Sequence, residues 1–146
     1  MRDESEEPAM TTLVPLDGSQ SSVEALKYAV RRRPEGEVLL LHVAPSGRQG
    51  DLERGRFLLE DGRRTCKIIA EGVNIETRLE VGDPRDKVQE VARNAGCDLV
   101  VMGAHGVNAT PHVDAAETSE WAEDLERPVV IVLPTGQGVR PEDAKL

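Results

Sequence analysis

Residues 82–103 read "GDPRDKVQEVARNAGCDLVVMG", a helical pattern followed by an apolar run, and this pairing decides the fold. Asp83 stands where an N-cap is wanted, Pro84 suits the first helical turn, and Gly96 suits the stop. Between them Val88, Val91, Ala92 and Ala95 recur at helical spacing, which predicts one face on a core. "DLVVMG" then shows no polar alternation, as expected of a strand covered on both faces. A helix feeding such a strand belongs to a parallel sheet, because parallel neighbours need a crossover between them.

The same alternation runs along the chain. "TTLVPL" (11–16), "EVLLLHV" (37–43) and "PVVIVLP" (128–134) are almost wholly apolar runs like "DLVVMG". "NIETRLEV" (74–81) instead alternates Ile75, Thr77, Leu79 and Val81 with polar residues, which places it at a sheet edge. Pro15 cannot donate to a ladder and marks where the first strand leaves the sheet. Ser21 and Glu24 suit a capping box for a first helix that buries Val23, Leu26 and Val30. In the second helix Leu52, Gly55, Leu59, Gly62, Cys66 and Ile69 form one stripe, whose glycines let it lie close to the sheet. A fourth helix would carry Thr118, Trp121, Ala122 and Leu125 on one side.

Right-handed crossovers leave few topologies. With the first strand central, the expected fold is α/β: one doubly wound five-stranded parallel sheet, order 3-2-1-4-5, helices on both faces. The domain spans 11–134, between an acidic tail at 1–10 that reads as disordered and a flexible tail at 135–146. As the terminal strand, Val129, Val130, Ile131, Val132 and Leu133 would form a flat apolar edge, which monomers avoid. Pairing with a second copy would cover it, and this predicts a homodimer.

Charge narrows the partners. The 146 residues carry 27 acidic against 18 basic side chains, a formal charge of -9. Such a surface repels nucleic acid and anionic lipid, both of which need Lys and Arg to replace counterions. The only aromatics are Tyr28, Phe57 and Trp121, so rows for base stacking are missing. The acidic, Lys-poor balance fits a high-salt cytoplasm or a GC-rich genome. Cys66 and Cys97 have no metal or disulfide spacing and read as small core residues in a reducing compartment. With no signal-like segment and no apolar run near 18 residues, the expectation is a cytoplasmic protein.

In the expected topology the winding reverses between the first and fourth strands. Ligands of open α/β sheets bind at the carboxyl ends of strands flanking such a switch point. The segments there are "PLDGS" (15–19) and "MGAHG" (102–106).

These segments also carry a resemblance. "LVPLDGSQSSVEALKYAV", "VLLLHVAP", "EGVNIETRLEVGDPRDKVQEVARNAGCDLVVMGAHG" and "RPVVIVLP", in register over residues 11–134, resemble the universal stress protein family. The resemblance implies an adenine-nucleotide-hydrolase-like fold. It also implies dimers that often form through the last strand. One branch binds ATP through G-x2-G-x9-G-[S/T] after the fourth strand; another binds no nucleotide. It implies that Pro15, Asp17 and Val43 line an adenosine pocket, and that Met102, Gly103 and Gly106 begin a phosphate loop.

The back half of that motif departs from the pattern. Nine residues past Gly106 the slots hold Ala116 and Glu117; counted back from Pro128 they hold Ala115 and Ala116. Phosphate loops rely on converging backbone N–H groups and a helix N-terminus. Here Asp114, Glu117 and Glu120 crowd the expected helix start; Asp114 with Glu117 makes a capping pattern that would occupy its N–H groups, and the carboxylates would offset its dipole. No Lys or Arg lies between Asp98 and Glu126. ATP binding of the family kind is therefore expected to be impaired unless a divalent cation bridges phosphates to carboxylates.

Each candidate has a plain alternative. Asp17 holds a ribose hydroxyl or a metal, or is a turn residue at a helix start. Gly103 and Gly106 approach a ligand, or adopt left-handed backbone. His105, His112 and Asp114 make a metal site or a solvated loop, and the loop is preferred. His42 reads as a hydrogen-bonded core histidine rather than a catalyst. Ser19, Ser21 and Ser22 read as capping residues rather than nucleophiles, and Trp121 as a core residue rather than a partner anchor. The expected function is a non-catalytic stress or regulatory module, dimeric, with no cofactor and no metal. The alternative is an ATP- or AMP-binding module using Mg or Mn, and least favoured is a weak nucleotide hydrolase.

Overall fold

The computed structural model describes residues 10–32, 36–104, 123, 125–133 and 135–140. In chain order its elements are β1 (Thr11–Pro15), α1 (Gln20–Arg32), β2 (Glu37–Ala44), α2 (Gln49–Ile69), β3 (Asn74–Val81) and α3 (Pro84–Asn94). Strands β4 (Leu99–Gly103), β5 (Val129–Val132) and β6 (Gly138–Val139) complete the sheet. Its order is β3-β2-β1-β4-β5-β6. The first five strands run parallel in the expected order 3-2-1-4-5, with β3 at one edge.

Successive residues of each strand supply opposite faces, which explains the unbroken apolar runs. Leu13, Leu39, Leu41, Val100, Met102 and Ile131 join Val88, Val91 and Ala92 of α3 in one buried cluster. Val14, Val38, Leu40, Val101 and Val132 point the other way and pack with Leu26, Val30, Leu59 and Cys66 of α1 and α2. Leu125 is buried in the α3-side cluster. Thr118, Trp121 and Ala122 of the expected fourth helix lie outside the described residues.

Helix α3 follows its punctuation: the Asp83 carboxylate accepts the Asp86 N–H at 3.1 Å, and Gly96 takes φ +63. The glycine stripe of α2 also acts as expected. A β-carbon on Gly55 would stand 2.6 Å from Leu79 Cδ1, and one on Gly62 would stand 2.7 Å from Leu16 Cδ1. The helix axis approaches the sheet to a distance that only glycine allows. Cys66 and Cys97 are buried free thiols, and burial pushes the Cys66 thiol up to about 12.

The start of α1 differs from the capping box read at Ser21 and Glu24. The Ser19 hydroxyl accepts the Ser22 N–H at 2.9 Å, so the cap sits two residues earlier. Asp17 sets this up by accepting the Ser19 N–H at 2.8 Å, with Gly18 at φ +87. Glu24 is left to Gln20 and Lys27 on the helix surface. The buried face shifts accordingly to Ser21, Ser22, Ala25, Leu26, Ala29 and Val30, while Val23 is half-buried.

The bare apolar edge along Val129–Leu133 also needs correction. Residues 135–140 were expected in a terminal tail, yet β6 pairs antiparallel with β5, Val139 against Ile131 and Gly138 against Val132. Leu133 N–H donates to the Gln137 carbonyl at 2.8 Å, and Gly136 turns the hairpin at φ +91. The docking partner is Tyr28 of α1: a β-carbon on Gly138 would stand 2.5 Å from its ring. The chain therefore covers part of its own edge.

Candidate functional site

The observed order places the reversal of winding between β1 and β4, where a site is expected. Pro15 is the last residue of β1 and lies opposite Leu41 of β2, so Val43 extends past it by two residues. Leu13 lies opposite Val100 of β4, and continuing that register brings Met102 level with Pro15. Strand alternation puts Pro15, Val43 and Met102 on one face, with Asp17 next in line beyond Pro15. Met102 is buried in the α3-side cluster and Val43 is half-buried against it. Asp17 is exposed at the rim.

Pro15, Asp17, Val43 and Met102 thus gather at the carboxyl end of the sheet beside the switch point. The described residues give each its local cause. The Asp17 carboxylate makes the turn that starts α1, which is its plain reading. Gly103 has a reason that neither alternative anticipated. It is not among the glycines with positive φ. A β-carbon there would stand 2.5 Å from the Ser21 carbonyl carbon and 2.6 Å from its oxygen, so the end of β4 lies against the first turn of α1. Gly106, with His105, His112, Asp114, Ala115, Ala116, Glu117 and Glu120, lies outside the described residues.

His42 faces away from Pro15, Val43 and Met102. Its Nδ1 donates to the Leu16 carbonyl at 2.7 Å, which fixes the proton there because a carbonyl only accepts. Its ring lies under Gly55 of α2, so it is the core histidine expected. Leu16 N–H in turn donates to the Leu41 carbonyl at 2.7 Å, and the first residue after Pro15 is held to β2 from both sides.

One cation near the switch point is absent from the candidates that the sequence offers. Arg54 of α2 reaches over the β1–α1 loop; its Nη2 lies 3.0 Å from where a Gly18 β-carbon would stand. Its position next to Gly55 on the sheet-facing stripe was the available signal. Among the described residues no three His, Cys, Asp or Glu side chains gather as for a metal. No helix of the described residues is long and apolar enough to cross a membrane.

The sequence profile of the universal stress protein family matches residues 9–132. The chain belongs to the universal stress protein family. Universal stress protein MJ0531 of Methanocaldococcus jannaschii is 27% identical over 135 residues, covering 82% of this chain and 79% of its own. Universal stress protein UspA from Lactobacillus plantarum shares the fold with a TM-score of 0.68 at 22% identity, over 86% of this chain and 99% of that one. A family protein from Arabidopsis thaliana with AMP bound superposes with a TM-score of 0.64 at 21% identity, over 85% of this chain and 91% of that one. Other universal stress proteins of this fold were solved with cAMP and with dAMP.

Proposed function

We propose that this universal stress protein is a non-catalytic regulatory module that takes an adenosine or adenine nucleoside monophosphate at the switch point. The observation that carries the reading is the convergence of Pro15, Val43 and Met102 on one sheet face with Asp17 at its rim. Apolar strand ends suit a flat base, and a rim carboxylate suits a ribose hydroxyl. The bound AMP, cAMP and dAMP of solved family members support the same ligand class. Against a triphosphate stand the alanines and carboxylates of residues 114–120 and the lack of Lys and Arg between Asp98 and Glu126. Free thiols at Cys66 and Cys97 suit work in a reducing cytoplasm.

Calorimetry with adenosine, AMP and ATP, each with and without magnesium or manganese, tests this. Adenosine or AMP is expected to bind at least tenfold more tightly than ATP, and Val43→Asp is expected to remove that binding. ATP retained through purification, or micromolar ATP binding with either metal, overturns the impaired loop; no binding of any of the three overturns the site. Turnover of nucleotide that dies with Asp17→Ala would instead establish the hydrolase.

Self-association belongs to the proposal in altered form. A two-fold pairing through Val129–Leu133 requires β6 to leave Ile131 and Val132. We propose that the homodimer, where it forms by this edge, competes with the β5–β6 hairpin.

A further inference from the structure

Away from the switch point, a polar cleft of about 500 Å³ opens between the last turns of α1 and the β5–β6 turn. That volume is within the range of small-molecule sites. One wall carries Arg31 and Arg32 of α1, and the other carries Thr135 and Gln137. Tyr28 and the backbone of Gly138 meet at its base, where Gly138 lies so close that the ring has no room for a side chain.

The charges of this cleft are set for an anion. The Arg32 guanidinium sits 5.0 Å from the centroid of the Tyr28 ring, which restrains it without neutralising it. Neither Arg31 nor Arg32 pairs with a carboxylate among the described residues. The one acid of the lining, Glu24, meets Lys27 at 3.5 Å and the Gln20 amide at 3.1 Å through Oε2, while its Oε1 stands 3.4 Å from the place of a Gly136 β-carbon. The Thr135 hydroxyl accepts only a long bond of 3.4 Å from Gln137 N–H, so its proton is free to donate. Two arginines, a threonine and a glutamine thus line one volume in a chain whose formal charge is -9. Arginines at a helix C-terminus also complement the dipole, but that role needs no opposing wall of donors.

We propose that this cleft is a second binding site, for a small anion that presents carboxylate or phosphate oxygens to Arg31 and Arg32. It is separate from the switch point: its residues come from the far end of α1 and from the hairpin. The guanidinium forks grip two oxygens of the anion while Thr135 and Gln137 close the other side. Occupancy ties the hairpin to α1, adding to the Tyr28–Gly138 contact.

The test uses the full chain labelled with nitrogen-15, titrated separately with inorganic phosphate and with succinate at constant ionic strength set by potassium chloride. Amide signals of Thr135, Gly136, Gln137 and Gly138 and the Nε–H signals of Arg31 and Arg32 are expected to shift and saturate. Half-saturation is expected on the order of 1 mM or lower for at least one anion. Whichever saturates first names the source of the oxygens. Amides of Asp17, Gly18 and Gly103 are expected to stay still, which separates this site from the switch-point cleft. Arg31→Gln with Arg32→Gln is expected to raise half-saturation at least tenfold, and Thr135→Val severalfold. Arg56→Gln with Arg63→Gln, on exposed positions of α2, is expected to change nothing. Shifts that grow linearly with both anions, or equal saturation in the Arg31→Gln and Arg32→Gln variant, overturn the site.

Discussion

Gly103 and Ser21 meet back to back, with 2.5 Å between the place of a Gly103 β-carbon and the Ser21 carbonyl carbon. This contact joins the end of β4 to the first turn of α1, and the neighbour that would have to yield is backbone. Gly103→Ala is therefore expected to destabilise the fold by about 1–3 kcal/mol, as overpacking does. Urea unfolding checks this. A loss of nucleotide binding in that variant would report the strained β4–α1 junction and not a ligand contact, which is why Val43→Asp is the better probe of the cleft.

Thr12 offers the opposite sign. It is fully buried, and its hydroxyl has no partner among the described residues. An unpaired hydroxyl in an apolar setting costs about 1–3 kcal/mol. Thr12→Val keeps the branched shape that suits a strand and is expected to stabilise by about 1 kcal/mol. The urea midpoint should rise with an unchanged slope; a fall would mean that the hydroxyl is satisfied in solution.

The β5–β6 hairpin is expected to govern self-association. Gly138→Val places methyl groups where the Tyr28 ring already stands at 2.5 Å, so β6 should undock and bare Ile131 and Val132. Light scattering should then show more dimer than in the parent chain at equal concentration. An unchanged mass would show that the edge of β5 is not where copies meet.

Burial at Cys66 sets a pH dependence. Desolvation raises its thiol from 9.0 to about 12, with nearby Lys67 opposing. Above pH 9 the unfolded chain loses this proton while the folded chain keeps it. Stability is then intact below pH 9 and falls as pH rises toward 12, by about 1.4 kcal/mol per unit from this group. Cys66→Ala should flatten the fall between these limits relative to the parent chain. The same burial should make Cys66 slow to react with thiol reagents at pH 8 unless the protein is unfolded.

Where a residue's role depends on periodicity, the sequence was enough except in α1, whose buried face lies beside the one read through Val23. The apolar runs placed five strands, and the stripe Gly55–Leu59–Gly62 named the face of α2 that approaches the sheet. Candidates Pro15, Val43 and Met102 converge because strand register is a long-range consequence of those same runs. What stayed hidden depends on contacts between distant segments. Ser19 and Ser21 are equally good caps on paper, and only the turn built by Asp17 selects Ser19. Nothing local announces that Gly103 yields to Ser21, that Arg54 overhangs Gly18, or that Gly138 docks on Tyr28. The two-residue strand β6 is too short to carry a period, so its polar segment has the pattern of a tail.

His42 and Val43 are consecutive residues on opposite faces of β2. The imidazole Nδ1–H is sealed against the Leu16 carbonyl beneath α2, while the neighbouring valine packs on the α3-side cluster. Anything that presses on Val43 moves the peptide from which the ring hangs. The chain thus carries a buried reporter behind the proposed ligand face: the exchange rate and chemical shift of the His42 ring proton should register an occupant that never touches it.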